Sequence, residues 1–335
     1  SSTDPAMMPA ELTAVAKVSP LLRHAFAPAA LLCRATASRL LSSGALRPKK
    51  VRASEELMEL EVKATSLRTR LDLDDHSDED FHFPSTYLRP SGKRRSFCHW
   101  IIKDRILIGR YPYVDPVAAP PYSRGPSFED ADHHLRTLIG RGVTTFVCLQ
   151  EEVPPQVRGD LWDSQGHAYL GKELRVDFPG PFVRYYDPAM RAWEAVAQTQ
   201  GASVPRPDFI HFPITDLAVP WSDNAAYEFL GQLVDKMDME DARIYVHCWG
   251  GRGRAGLVGA CLLALLRPEL SVKEVMRITQ AGYDSRKGTR GARTGAVTAI
   301  DAFEQKHMVR ARKQSPQTQE QRFWVEEFVE ELAKI

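Results

Sequence analysis

The sequence predicts an α/β domain, and three observations carry that expectation. Short apolar runs of strand length, RILIG, VTTFVCLQ, DFIHFPI and RIYVH, recur between segments whose apolar residues fall at helical spacing. RIYVH leads through a glycine-rich stretch, CWGGRGRAG, directly into an apolar helix, LVGACLLALL. The 335 residues are 43% hydrophobic, enough for one sizeable core and better suited to one large domain with extensions than to several domains.

The chain opens with a different composition. From Met7 to Ala53 stand Lys17, Arg23, Arg34, Arg39, Arg47, Lys49, Lys50 and Arg52 against a single acid, Glu11. Residues 1–53 therefore read as a transit peptide, with LLRHAFAPAALLCRATASRLL as its basic amphipathic helix, or else as a disordered basic tail. The first reading favours an organelle, chloroplast or mitochondrion, over the cytoplasm. Residues 54–95 read as a charged linker: a short helix, EELMELEVKATSLRTRL, then the acidic LDLDDHSDEDFHF and the basic PSGKRR.

Residues 96–335 carry the globular pattern. RILIG is the first strand, and RYPYVDP after it is a turn. Ser127 is placed to cap a helix containing Phe128, Leu135, Leu138 and Ile139, which Gly140 and Gly142 end before the strand VTTFVCLQ. Residues 151–207 are irregular in pattern and read as an insertion. DFIHFPI is the next strand, TDLAVPWSD a turn, and AAYEFLGQLVDKM a helix. A basic, loop-like second insertion occupies 286–313, and 315–335 read as a helix carrying Phe323, Trp324, Phe328, Val329 and Leu332.

Composition narrows the function classes. Lys and Arg total 44 against 43 Asp and Glu, and this near-balance offers no general attraction to nucleic acid or to a membrane surface. Cys33, Cys98, Cys148, Cys248 and Cys261 are too far apart for the close pairs of zinc sites or disulfide frameworks, which points to a reducing compartment and to no metal. No run of eighteen apolar residues is present to serve as a membrane span.

The chemistry is concentrated between His247 and Gly256. A phosphate ester resists hydrolysis because its negative oxygens repel a nucleophile, so a site must neutralise them and hold a strong nucleophile in line. Cys248 begins the loop, and Arg254 lies within reach to grip two phosphate oxygens. Gly250, Gly251 and Gly253 let the amides between them turn inward, with Trp249 and Arg252 completing the run. Inward N–H groups, the nearby arginine and a helix N-terminus all favour a thiolate at Cys248. A buried structural cysteine is the plainer alternative.

The segment VHCWGGRGRAG resembles the signature loop of the protein-tyrosine and dual-specificity phosphatase superfamily, His-Cys, five residues, then Arg. Its Cys-Trp-Gly-Gly form is closest to the cyclin-dependent-kinase-inhibitor-associated and cell-cycle dual-specificity phosphatases. The likeness covers about residues 104–335, tightly at the loop and loosely elsewhere. It implies the cysteine-dependent phosphatase fold, a central, mostly parallel sheet flanked by helices. It also implies a phosphocysteine intermediate formed without a cofactor. Cys248, Arg254 and Asp216 take the catalytic positions: HFPITDLAVP resembles the family's general-acid loop, and Asp223 is the second choice for the acid. SPQTQEQRFWV resembles the segment that places the hydrolytic water or supports the loop, with Gln321 at the matching position. His247 and Ala255 support the loop, and Ala255 replaces a Ser or Thr common there, so intermediate breakdown should be slowed.

No copy of the tyrosine-specific recognition loop is present, which favours a shallow, dual-specificity-like site. The expected substrate is a phosphoprotein. Arg252, either a solvated surface residue or a second cation for a multiply anionic ligand, keeps a phosphoinositide open. A phosphoglucan substrate and a slow phosphate-binding pseudophosphatase stay open as well, and the pairing of His247 with Arg254 disfavours a rhodanese-like transferase.

Overall fold

The computed structural model describes residues 55–71, 80–88, 92–114, 126–151, 185–201, 203–286 and 314–335, and the fold is given for these. The transit-peptide reading of 1–53, most of the 151–207 insertion and all of 286–313 except Arg286 lie outside the described residues.

Alternation along the central strands sets the architecture. In β5 (Val143–Gln150), Val147 and Leu149 join one apolar cluster while Phe146 and Cys148 join another. In β7 (Arg243–Cys248), Ile244, Val246 and Cys248 face the first cluster and Tyr245 the second. Burial on both faces belongs to the inner strands of a covered sheet. The five-stranded sheet also contains β3 (Cys98–Ile102), β4 (Ile106–Arg110) and β6 (Asp208–Ile214), in the order β3-β4-β7-β5-β6. β4, β7, β5 and β6 run parallel, and β3 is an antiparallel edge strand. Two short strands, β1 (Thr86–Leu88) and β2 (Arg94–Ser96), form a separate antiparallel pair.

On the second face lie α2 (Phe128–Gly140) and α3 (Tyr186–Gln200). Ser127 caps α2, its hydroxyl accepting from Asp130 N at 3.0 Å, and Gly142 takes a left-handed φ of 81° to turn the chain into β5. The expected irregular insertion over 151–207 is thus corrected at its end: α3 buries Tyr186, Ala189, Ala192 and Val196 at helical spacing against α2.

The first face is covered by α4 (Asp223–Met239), α5 (Arg254–Leu266), α6 (Val272–Ser285) and α7 (Gln319–Leu332). α5 is buried along its whole length, consistent with its unbroken apolar sequence. At Gly259 an added Cβ would come within 2.7 Å of Ile108, so this glycine lets α5 lie tight on β4. The reading of 54–95 as linker also needs correction. α1 (Glu55–Arg70) buries Leu57, Leu60, Ala64 and Leu67 against α4 and α5, and Lys63 and Arg70 reach Asp235 and Asp238 at 2.9 and 2.8 Å. The charge-rich composition hides an apolar stripe at 3.6-residue spacing. Among the described residues no helix is long and apolar enough to cross a membrane.

Candidate active site

β7 ends at Cys248, on the carboxyl edge of the sheet where parallel α/β architectures gather ligands. Its backbone is in register with Arg110 of β4, and the Cys248 side chain is almost wholly buried. The loop that follows is organised by its carbonyls. Tyr111 N donates to Trp249 O at 3.2 Å, and Leu257 N donates to Gly253 O at 2.9 Å. Arg286 Nη1 donates to Gly250 O and Gly251 O at 3.1 and 2.9 Å, and the Ser315 hydroxyl donates to Arg252 O at 2.9 Å. In a trans peptide the next N–H points opposite to the carbonyl. Five outward carbonyls therefore turn the N–H groups of Gly250, Gly251, Arg252, Gly253 and Arg254 to the inner side of the loop.

Gly251 is indispensable to this path. It has a φ of 63°, and an added Cβ would lie 2.3 Å from the carbonyl carbon and oxygen of Gly109. The loop leads into α5, whose N-cap Gly253 makes no side-chain cap bond, so the helix's first-turn amides add to the anion-binding set.

Arg254, the first residue of α5, is 1% exposed. Its Nη1 donates to Ile214 O at 3.0 Å, and its Nη2 lies 3.1 Å from Asp216 Oδ1. The carbonyl fixes the plane of the guanidinium at the end of β6, and the carboxylate marks its outward face. The Asp216 carboxylate thus stands next to the guanidinium at the mouth of the loop.

Asp216 is carried on a turn closed by Ala218 N donating to Thr215 O at 3.0 Å, with Leu217 in the left-handed region at φ 67°. Gln321 holds this turn. Its Nε2 donates to Ala218 O at 2.8 Å while its Oε1 accepts from Gln317 N and Thr318 N at 3.1 and 3.2 Å. The Thr318 hydroxyl adds a bond to Leu217 O at 3.2 Å. Gln321 is fully buried, and its side-chain bonds run to the Asp216 turn and to the start of α7, whereas the expected support is of the loop after Cys248. Both ends of its carboxamide are engaged by backbone. Asp223, the second choice for the acid, accepts instead from Trp324 Nε1 at 2.9 Å at the start of α4.

His247 lies on the opposite side of β7 from the cysteine, with Nε2 2.8 Å from the Tyr185 hydroxyl and its ring edge-on to Tyr111. Burial first, then His211 and Arg254, holds its imidazole well below the usual histidine range, so it is neutral and anchors the strand end. Ala255 is buried under the loop. Trp249 is half-exposed at the mouth, and Arg252 approaches the Tyr283 ring, 6.0 Å from its centroid.

Sequence reasoning missed three supports. Tyr185 falls within the expected insertion, and Ser315 has no signature of its own. Arg286 stands at the head of a run that reads as solvated and basic. A signal is nevertheless present, since Val275, Thr279 and Gly282 form the buried stripe of α6 and Arg286 is in phase with them, four residues beyond Gly282.

Comparison with known proteins bears on the same region. Residues 185–323 match the family described as Swiss Army Knife protein, DSP-PTPase phosphatase domain, a span containing Asp216, Cys248, Arg254 and Gln321. A protein of Invertebrate iridescent virus 6 named as a tyrosine phosphatase, 197R, is 37% identical over 71 residues, 20% of this chain and 27% of the viral one. A second, 067L of Invertebrate iridescent virus 3, is 42% identical over 62 residues, 18% and 25% of the two chains. The chain thus spans about a quarter of the length of these viral relatives. Among solved structures, kinase associated phosphatase aligns with a TM-score of 0.38 at 16% identity, over 69% of this chain and 88% of that one. Tk-PTP aligns at 0.32 and 20% identity, over 69% and 99%.

Proposed function

We propose that this chain, whose residues 185–323 match the DSP-PTPase phosphatase domain family, hydrolyses phosphate monoesters through a phosphocysteine at Cys248. The observation that carries this reading is the loop of outward carbonyls, which leaves five amides and the Arg254 guanidinium to receive the oxygens above the sulfur. Cys248 Sγ attacks phosphorus in line as the ester P–O bond breaks, and the Asp216 carboxyl gives its proton to the departing oxygen. Water then attacks the phosphocysteine, the Asp216 carboxylate takes its proton, and the S–P bond breaks to release inorganic phosphate. Arg254 and the amides carry the phosphoryl charge throughout, so the scheme calls on no metal.

A phosphoprotein is the substrate class we favour, in keeping with the names of the viral relatives and with the open, half-exposed Trp249 at the mouth. The test is hydrolysis of an aryl phosphate, then of phosphopeptides, phosphoinositides and phosphoglucan, by the native protein and by Cys248→Ser. Native activity with preference for phosphopeptides, lost in the serine variant while circular dichroism is unchanged, is expected. Near-normal aryl phosphate hydrolysis by the serine variant would remove Cys248 as nucleophile.

A further inference from the structure

Arg286 is 6% exposed, yet among the described residues no carboxylate pairs with its guanidinium. Its polar partners are carbonyl oxygens: Gly250 and Gly251 at 3.1 and 2.9 Å, and Ser96 at 3.4 Å from Nε. The Tyr283 ring lies 5.5 Å from it, and its own carbonyl accepts from Ser96 N at 3.2 Å. Arg68 and Arg254, by contrast, each meet an acid, Glu61 and Asp216. A buried charge without a counter-ion is costly, and burial lowers the Arg286 pKa from the usual arginine value.

The orientation of the two peptides says where its counter-charge belongs. Arg286 Nη1 binds the carbonyl of Gly250, whose peptide continues to the N–H of Gly251, and the carbonyl of Gly251, whose peptide continues to the N–H of Arg252. Both N–H groups point to the inner side of the loop. Cation, carbonyl and amide are then in series, and a cation at the carbonyl end polarises the peptide and strengthens its N–H as a donor. We propose that Arg286 is a positioning residue for the catalytic loop and a hidden second cation for the phosphate dianion that the loop binds. The proposal rests on the phosphatase reading above and deepens it: the site is electrostatically complete only with a doubly charged oxyanion in the loop.

The experiment uses the full chain with tungstate as probe and p-nitrophenyl phosphate as substrate. In Arg286→Met, the inhibition constant of tungstate and the KM are both expected to rise about tenfold or more, with kcat changing less. The rise in Tm produced by saturating tungstate should shrink in parallel. Arg286→Lys keeps the charge but loses the planar guanidinium that Nε fixes on Ser96 O while Nη1 binds the two loop carbonyls, so its tungstate affinity should fall between the native and methionine values. A purely structural role would lower Tm in both variants and leave the tungstate affinity of the folded protein unchanged. A folded Arg286→Met that binds tungstate within about twofold of the native protein would overturn the proposal. Should the methionine variant fail to fold, the lysine variant decides: weakened tungstate binding supports the proposal, and unchanged binding with unchanged kcat overturns it. A native protein that neither binds tungstate nor hydrolyses the substrate would instead sink the phosphatase reading, and this inference with it.

Discussion

Gly251 and Gly250 are neighbours in one loop, yet substitution by alanine should have opposite outcomes. At Gly251 the added Cβ would lie 2.3 Å from the Gly109 carbonyl and 2.6 Å from Arg110 N, where ordinary contact begins at 3.4 Å. The obstacle is the backbone of β4, which has no flexible end to move aside. The loop must therefore shift by about 1 Å, and a displacement of that size at a reacting centre costs on the order of a hundredfold in rate. The left-handed φ of 63° adds backbone strain of about 1–2 kcal/mol for any residue with a Cβ. At Gly250 nothing lies within 4 Å of the added atom and no left-handed φ is required. We expect Gly251→Ala to lose about a hundredfold or more in kcat/KM on an aryl phosphate, with weaker tungstate binding. Gly250→Ala should stay within about threefold of the native protein and keep its thermal midpoint. Equal kcat/KM for the two variants, in either direction, would refute the claim that contact with β4 sets the loop's path.

Three further expectations follow from the site. Asp216→Asn should lower kcat on phenyl phosphate by about a hundredfold or more but have much less effect on 2,4-dinitrophenyl phosphate, whose leaving group needs no proton; equal losses on both would dismiss Asp216 as the acid. Gln321→Ala removes bonds to three backbone groups and should cost about 1–3 kcal/mol by urea unfolding, with kcat falling as the Asp216 turn loosens. Gln321→Glu, which keeps the cap acceptor but cannot donate to Ala218 O, should fall between the native and alanine values, and native-like stability and kcat in the alanine variant would contradict the support. With Ala255 offering no hydroxyl to the departing sulfur, the native protein should show a pre-steady-state burst of leaving group. Ala255→Ser should turn over at least about tenfold faster with a smaller burst, from one charge-assisted hydrogen bond of about 1.5–3 kcal/mol; linear product release in the native protein and an unchanged rate in the variant would show that another step is limiting.

The parts of this molecule that are legible in its sequence are those whose cause is local. Ser127 and Gly142 bound α2 as expected because capping and left-handed turns are matters of one or two residues. VTTFVCLQ coincides with β5 because an inner strand of a covered sheet needs an apolar run, and DFIHFPI with β6, an edge strand whose residues are nonetheless buried on both faces. α1 reads as linker because its charged residues outnumber the apolar stripe that the fold uses, and only the partner face on α4 shows that stripe to be core.

The same division runs through the active site. Cys248, the loop glycines and Arg254 are contiguous, so their chemistry can be read along the chain. What aims the loop is not contiguous: Tyr111 comes after β4, Arg286 from the end of α6, and Ser315 from just before α7. Each acts through a carbonyl, a group that every residue has and no side-chain motif records. Gln321 makes the point most sharply. Its motif position suggests either a water-holding role or support of the loop after Cys248, while its hydrogen bonds run to Ala218 O, Gln317 N and Thr318 N, partners that the motif does not name. Both lone pairs of Oε1 are taken by the Gln317 and Thr318 amides and one of the two Nε2 protons by Ala218 O, which leaves Gln321 one N–H to offer a water and no acceptor. Accepting from the hydrolytic water would therefore require those two amides to give up Oε1 between the two chemical steps, whereas support alone requires them to stay.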